Sequence, residues 1–426
     1  MEIAKNARQA ALKLAVLDTE TRNDLLIRMA SQLEADAEAI LAANAADCVA
    51  AEQAGLSQAL YDRLKLDGRK LAQMAQSVRA VAKLPDPVGK VQFRMLLDDG
   101  LELHRVSCPL GVLAVIFESR PDAVTQISSL ALKSANAVIL KGGREAQRST
   151  AALVDSIHKA LQQAGIPTAA VAVVTDRTDV DALLAMDEYI DLVIPRGSNS
   201  LVRYVQAHTR IPVLGHAEGI CHVYVDKAAD LNMAVEIVFD AKTQYPAACN
   251  AAETLLVHKD VADAFLPSIC SKLASAGVQL RGCLRSKAVW SDMELATEDD
   301  WRTEYCGLVI SIKIVDSIED AVAHINDYGS HHTDTIVTED RSAAEFFMAY
   351  VDSAGVFHNA STRFSDGYRY GFGAEVGIST SKIHARGPVG LEGLVSYKYK
   401  LYGSGQTVAL YSGPEARPFK HIKLDT

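Results

Sequence analysis

The sequence predicts an α/β protein built on parallel sheets. Across residues 111–226 short apolar runs alternate with segments of helical periodicity, and a second such series spans residues 254–359. The runs are near-continuously apolar and rich in β-branched residues, the pattern of strands covered on both faces. At 426 residues the chain is too long for one ordinary core, so two or three domains are expected.

Taken in order, residues 1–85 read as Ala-rich helices, with a helix-start signal at Asp18-Thr19-Glu20-Thr21. The stretch Leu84-Pro85-Asp86-Pro87-Val88-Gly89 ends them. Residues 91–106 form a hairpin signal around Asp99-Gly100, where glycine supplies positive φ. Such a hairpin either packs on its own domain or lends its edge to a partner. The first β/α series places strands at 112–117, 137–140, 170–174, 192–195 and 220–225, with helices at 125–134, 148–164, 179–186 and 200–207. The second places strands at 254–257, 308–315, 334–337 and 356–359, and the tail returns to a strand at 395–401.

Composition narrows the function classes. A net charge of −10 argues against nucleic acid or an anionic membrane as main partner. The start, Met1-Glu2-Ile3-Ala4-Lys5, has no apolar signal core, and no apolar run is long enough to span a bilayer. The cysteines at 48, 108, 221, 249, 270, 283 and 306 are odd in number and contain no Cys-x-x-Cys pair. That pattern fits neither a disulfide framework nor a metal site, and a cytoplasmic location is expected, with no metal.

Cys249 stands in Gln244-Tyr245-Pro246-Ala247-Ala248-Cys249-Asn250, a Pro-bearing loop running into a hydrophobic strand. A thiol held on a loop beside a rigid element can meet a substrate at a fixed angle, provided its surroundings favour the thiolate. Taken alone, an inert buried cysteine is the commoner explanation of such a residue. Two strand-to-helix turns add to the case. Lys141-Gly142-Gly143-Arg144 pairs glycines with cations that suit a phosphate, and Arg196-Gly197-Ser198-Asn199 precedes a helix whose N-terminus suits a diphosphate. Either could equally be loop geometry, and the Gly-x-Gly-x-x-Gly fingerprint is absent. Residues 356–393 form a long polar, Gly-rich stretch in which Arg363, Lys382 and Arg386 could bind carboxylate or phosphate.

These stretches, with Phe117-Glu118-Ser119-Arg120-Pro121-Asp122, Gly215-His216-Ala217-Glu218-Gly219-Ile220, Tyr245-Pro246-Ala247-Ala248-Cys249-Asn250 and Asn359-Ala360-Ser361-Thr362-Arg363-Phe364, resemble the γ-glutamyl phosphate reductase family of the aldehyde dehydrogenase superfamily. The likeness runs in family order from about residue 85 to 400 and extends to the reductase half of eukaryotic pyrroline-5-carboxylate synthase, without a kinase half. It implies an NADP-dependent glutamate-5-semialdehyde dehydrogenase, acting second in proline biosynthesis. Cys249 would attack the acyl phosphate of L-glutamate 5-phosphate, expel phosphate and leave a thioester that NADPH reduces to L-glutamate 5-semialdehyde.

The same resemblance implies roles. Cys249 is the nucleophile, and its backbone N–H with that of Asn250 supplies the oxyanion donors. Lys141, Gly142, Gly143 and Arg144 bind the adenosine ribose and its 2′-phosphate, Gly197 and Ser198 the diphosphate, and Glu304 the nicotinamide ribose. Arg120, Asn359, Ser361, Thr362 and Arg363 hold the glutamyl head or phosphate.

Two departures matter. The superfamily's oxyanion asparagine region reads Glu118-Ser119-Arg120-Pro121 here, and Glu218 lies at the wrong spacing from Cys249 for the water-activating base. Loss of that base fits a thioester that must not hydrolyse. An aldehyde dehydrogenase-like fold is implied, with two Rossmann-like parallel-sheet domains and a small β oligomerisation element. Residues 1–90 and 107–226 would form the NADP-binding domain and residues 227–393 the catalytic domain. Residues 91–106 and 394–426 would pair across subunits in a homodimer or homotetramer, and functional coupling to a glutamate 5-kinase is a further implication of the resemblance.

Two rivals remain. An NAD-dependent aldehyde dehydrogenase making a free acid would need a carboxylate facing Cys249. A catalytically silent assembly protein should show erosion at the thiol, the glycine turns or the cationic loop.

Overall fold

The structure is a computed structural model that describes residues 2–425, except 119, 176, 177, 216 and 217. Ser119, His216 and Ala217, quoted above for the family likeness, therefore lie outside the described residues.

Five helices open the chain: α1 (Glu2–Leu14), α2 (Thr19–Ala35), α3 (Ala37–Gln53), α4 (Gln58–Leu64) and α5 (Gly68–Lys83). The hairpin β1 (Val91–Asp98) and β2 (Leu101–Pro109) follows. Next come β3 (Val112–Phe117), α6 (Pro121–Lys133), β4 (Ala137–Lys141), α7 (Gln147–Gln163), β5 (Val171–Val173), α8 (Thr178–Leu184), β6 (Leu192–Arg196) and α9 (Asn199–His208). The second series is β7 (Cys221–Val225), α10 (Leu231–Thr243), β8 (Ala252–His258), α11 (Lys259–Ser275), β9 (Gln279–Gly282), α12 (Leu284–Val289), β10 (Glu294–Leu295), β11 (Val309–Val315), α13 (Ile318–Tyr328), β12 (Thr333–Val337), α14 (Arg341–Tyr350) and β13 (Gly355–His358). Short strands β14 (Gly377–Ser379) and β15 (Gly387–Val389) precede β16 (Val395–Tyr402) and β17 (Ile422–Leu424). No described helix is long and apolar enough to cross a membrane.

The chain divides into two compact units: Met1–Leu214 with Gly373–Gly377 and Val389–Thr426, and Gly215–Phe372 with Ile378–Pro388. The first unit holds a parallel sheet of order β5-β4-β3-β6, in which every residue of β3 and β4 is buried. The chain steps from β3 outward through β4 to β5, then returns to the far side of β3, so a topological switch point lies between β3 and β6. Polar anchors fix the helices around it. Asp191 accepts from both Arg8 terminal nitrogens (2.8 and 3.0 Å) and from the Val112 N–H (2.7 Å), tying α1 to the start of β3. Buried Asp47 of α3 accepts from the Ser149 N–H (2.8 Å) and hydroxyl (2.7 Å). A carboxylate there satisfies first-turn donors of α7 and complements its dipole, which fixes the helix that begins just after Arg144.

The hairpin and tail join in this unit as an antiparallel sheet of order β16-β2-β1-β17. β16 pairs with β2 from Val395↔Pro109 to Tyr402↔Glu102. Pairing was expected across subunits; within the chain it is already complete, and β16 forms one edge of the sheet.

The second unit is a seven-stranded parallel sheet of order β10-β9-β11-β8-β7-β12-β13. Strand periodicity splits its side chains between two cores. Val223, Val225, Leu255 and Val257 pack with Val238 of α10 and Phe265 of α11, while Tyr224, Leu256 and Ile336 pack with Ile325 of α13 and Phe347 of α14. The run at 220–225, read above as closing the first series, is β7 and pairs with β8 and β12. The division accordingly falls after Leu214 rather than after residue 226. A strand buried on both faces carries no mark of which sheet it joins, because its partners are distant in sequence.

Candidate active site

The Cys249 turn is set by the elements on either side of it. Helix α10 ends at Thr243, two tight turns follow (Ala248 N–H to Tyr245 O, 3.2 Å; Ala251 N–H to Ala248 O, 2.9 Å), and β8 begins at Ala252. Small residues let the backbone fold this closely, and the partner across it must be small as well. A Cβ on Gly219 would overlap the Cys249 carbonyl. That same carbonyl accepts from the buried Cys221 thiol at 3.4 Å. The Asn250 carbonyl accepts from the Thr362 hydroxyl (2.7 Å), and the Asn250 amide donates to Ser365 O (2.8 Å). Cys249 itself is half-buried, on a turn whose carbonyls are held by Cys221 and Thr362.

The electrostatics favour an anion beside this turn. Arg363 is 7 % exposed, donates through Nε to Gln244 Oε1 (3.0 Å), and lies 5.9 Å over the Tyr245 ring. Burial pulls the guanidinium below its ordinary pKa, the like charge of Arg369 adds to this, and the Cys249 sulfur opposes it. By reciprocity the guanidinium favours the thiolate. Burial pushes the Cys221 thiol well above its ordinary value, which leaves it an uncharged donor.

The other expected residues separate into groups. Ser361 accepts from the Arg363 N–H (3.3 Å), and Thr362 is fully buried beneath the Cys249 turn, so both shape the site from below. Asn359 is not brought to the turn: in left-handed conformation (φ 53°), its amide is committed to the Thr338 N–H and C=O, both at 3.0 Å, at the end of β12. Glu304 follows the buried Asp300–Trp301 segment, which is anchored where Asp300 accepts from Thr297, Arg281 (2.6 Å) and Tyr305 (2.8 Å). Lys382 (2.6 Å) and Arg386 (3.1 Å) are both neutralised by Asp352.

The remaining residues lie in the first unit, at carboxyl ends of its strands. Lys141 ends β4 and its Nζ donates to Gly142 O (2.7 Å). A Cβ on Gly142 would press at 3.3 Å on Phe117 and on the Thr150 hydroxyl, a buried oxygen without a hydrogen-bond partner among the described residues. Gly143 and Arg144 continue the turn, and Gly197 and Ser198 join β6 to α9. Across the switch point, Glu118 accepts from the Ser198 N–H (2.8 Å) and hydroxyl (3.4 Å). An anion thus sits at the α9 N-terminus, as the donor chemistry there requires. Arg120 is exposed at the α6 N-cap, 3.8 Å from Asp122. Close-approach glycines, an orphaned hydroxyl, a helix N-terminus that already holds a carboxylate, and two cations all suit an anionic dinucleotide.

A parallel-sheet unit with glycine turns at its strand ends, and a second parallel-sheet unit with a half-buried thiol on a tight turn, define a class. The chain belongs to the aldehyde dehydrogenase family, whose model matches residues 1–281. Its place within that family is with the γ-glutamyl phosphate reductases. It is 57 % identical over 421 residues to the γ-glutamyl phosphate reductase of Trichodesmium erythraeum, covering 99 % of this chain and 98 % of the relative. To that of Synechococcus elongatus it is 57 % identical over 418 residues, with coverages of 98 % and 97 %. The crystal structure of γ-glutamyl phosphate reductase from Thermotoga maritima superposes with a TM-score of 0.94 at 42 % identity, covering 95 % of this chain and 99 % of that one. An NADP complex of glyceraldehyde-3-phosphate dehydrogenase from Methanocaldococcus jannaschii shares the fold, with a TM-score of 0.67 at 17 % identity and coverages of 95 % and 94 %.

Sequence reasoning missed two contacts of consequence, Glu118 on Ser198 and Lys242 on Glu253. The second had a signal: Glu253 is the one charge in the run 251–257 that follows the nucleophile loop.

Proposed function

We propose that the chain reduces L-glutamate 5-phosphate to L-glutamate 5-semialdehyde and phosphate with NADPH, the second step of proline biosynthesis. The reading is carried by the half-exposed Cys249 beside buried Arg363, in a chain that matches γ-glutamyl phosphate reductases end to end. The Cys249 thiolate adds to the acyl carbon, a C–S bond forms, and phosphate departs with the electron pair of the broken C–O bond. NADPH, when bound, supplies the hydride that reduces the thioester carbon. The N–H groups of Cys249 and Asn250 stabilise the oxygen that becomes negative, and breakage of the C–S bond returns the thiolate.

Lys141, Gly142, Gly143 and Arg144 hold the adenosine ribose and select its 2′-phosphate, Gly197 and Ser198 take the diphosphate, and Glu304 accepts from the nicotinamide ribose. Arg363 and Arg120 bind the phosphate and glutamyl charges. Ser361 and Thr362 act by fixing Arg363 and the Cys249 turn. Asn359 enters the reading as a substrate-side residue only if its hold on Thr338 is exchanged for the glutamyl head.

The exposed side chains of Tyr397, Tyr399, Leu401 and Tyr402 on β16 support a homodimer or homotetramer joined along that edge. Seven free cysteines support the reducing cytoplasm as the compartment. A labile acyl phosphate favours supply by an adjacent glutamate 5-kinase. The test is NADP reduction with glutamate semialdehyde and phosphate. Cys249→Ala should abolish it while NADPH binding persists, and turnover near wild type would refute the nucleophile.

A further inference from the structure

Behind the Cys249 turn lies an ion pair that the thioester chemistry does not use. Lys242, in the last turn of α10, and Glu253, the second residue of β8, are 0 % and 1 % exposed, with Nζ 2.5 Å from Oε2. The other carboxylate oxygen, Oε1, accepts from the Cys306 N–H at 3.3 Å. Cys306 is left-handed (φ 51°) and stands two residues after Glu304; burial, with the nearby Glu304 charge, pushes its thiol up to about 11. Three segments therefore converge on one carboxylate: both stems of the loop that carries Cys249, and the loop that carries Glu304.

Stability does not account for such a pair. Desolvating two charges cancels most of their attraction, and apolar replacements of similar volume are often neutral or stabilising. The cost is visible in both partners, since burial pushes Glu253 up to about 7 and pulls Lys242 down. What the pair supplies is direction. An apolar contact tolerates sliding, whereas a carboxylate shared between an ammonium and a backbone N–H fixes two loops in register.

We propose that Lys242 and Glu253 are positioning residues that set the Cys249 thiol and the Glu304 carboxylate relative to each other, so that the acyl carbon and the nicotinamide meet in reactive geometry. The inference rests on the roles given to Cys249 and Glu304 above. Its mark is that each half of the site works alone while the joint step fails.

The test is the full-length Lys242→Met/Glu253→Leu variant. It should melt at or above the wild-type temperature, alkylate Cys249 with iodoacetamide at a rate close to wild type and bind NADPH with near-normal affinity. Its single-turnover reduction of the Cys249 thioester should fall by roughly 10- to 100-fold, the scale expected for a misplacement of about an ångström. Reduction at the wild-type rate in the folded variant overturns the proposal. Should the double variant fail to fold, Glu253→Asp decides. It keeps the charge but is too short to reach both partners, so a slowed transfer with normal alkylation supports the role and unchanged transfer overturns it. Full activity in Cys249→Ala would instead sink the underlying reading, a result distinguishable from either.

Discussion

Cys249 depends on what faces it. Its carbonyl and that of Asn250 are held by Cys221 and Thr362, while the buried guanidinium of Arg363 interacts with its sulfur electrostatically. A guanidinium that favours the thiolate lowers the pH at which the sulfur reacts, so its loss must move that pH upward. Arg363→Gln should raise the midpoint of the iodoacetamide alkylation profile of Cys249 by about one pH unit. An unchanged midpoint would separate the two groups electrostatically and leave Arg363 a substrate ligand alone. The loop that carries the cysteine was legible in the sequence because a Pro-bearing run meets a strand there. Its supports were not, since Gly219, Cys221 and Thr362 reach it from residues far off in the chain.

Strands, helices and the turns between them form the next scale. The strands of both series were readable from apolar runs, whereas β9 and β10 were not, being short and partly exposed (Gln279–Gly282 and Glu294–Leu295). Membership of β7 in the second sheet was likewise hidden, because register is a property of pairs. At the β6–α9 turn the sequence offered Gly197 and Ser198 but not the carboxylate of Glu118 that occupies the Ser198 donors. Two anions cannot share one N–H seat, so the diphosphate site proposed at this turn requires Glu118 to give way. Titrating both cofactors into two variants checks this. Glu118→Gln should bind NADPH and NADH several-fold more tightly, each by the same factor, since the diphosphate is common to both. A Lys141→Ala/Arg144→Ala variant should lose NADPH affinity far more than NADH affinity. Weaker binding by Glu118→Gln would make the carboxylate a ligand of the cofactor.

For the whole molecule, the two β/α series and the hairpin-and-tail element were readable from apolar patterning, while the point of division came only from contacts. Assembly belongs to this scale. Tyr397, Tyr399, Leu401 and Tyr402 are each at least half exposed on β16, at the edge of a four-stranded sheet. An exposed edge carrying apolar side chains is a template for a second copy. Tyr399→Lys with Leu401→Lys should shift the protein to a smaller species in sedimentation velocity, leaving the fold intact by circular dichroism. The same species in both proteins would move the interface elsewhere.

The central claim is a thioester on Cys249 that yields to phosphate and not to water. The direct measurement mixes enzyme, glutamate semialdehyde and NADP without phosphate, follows NADPH formation, and maps the quenched protein by peptide mass. The account predicts a burst stoichiometric with active sites, then a stall, with a glutamyl adduct on Cys249 that added phosphate discharges. Steady phosphate-free turnover to glutamate, or an adduct on any other residue, would contradict it.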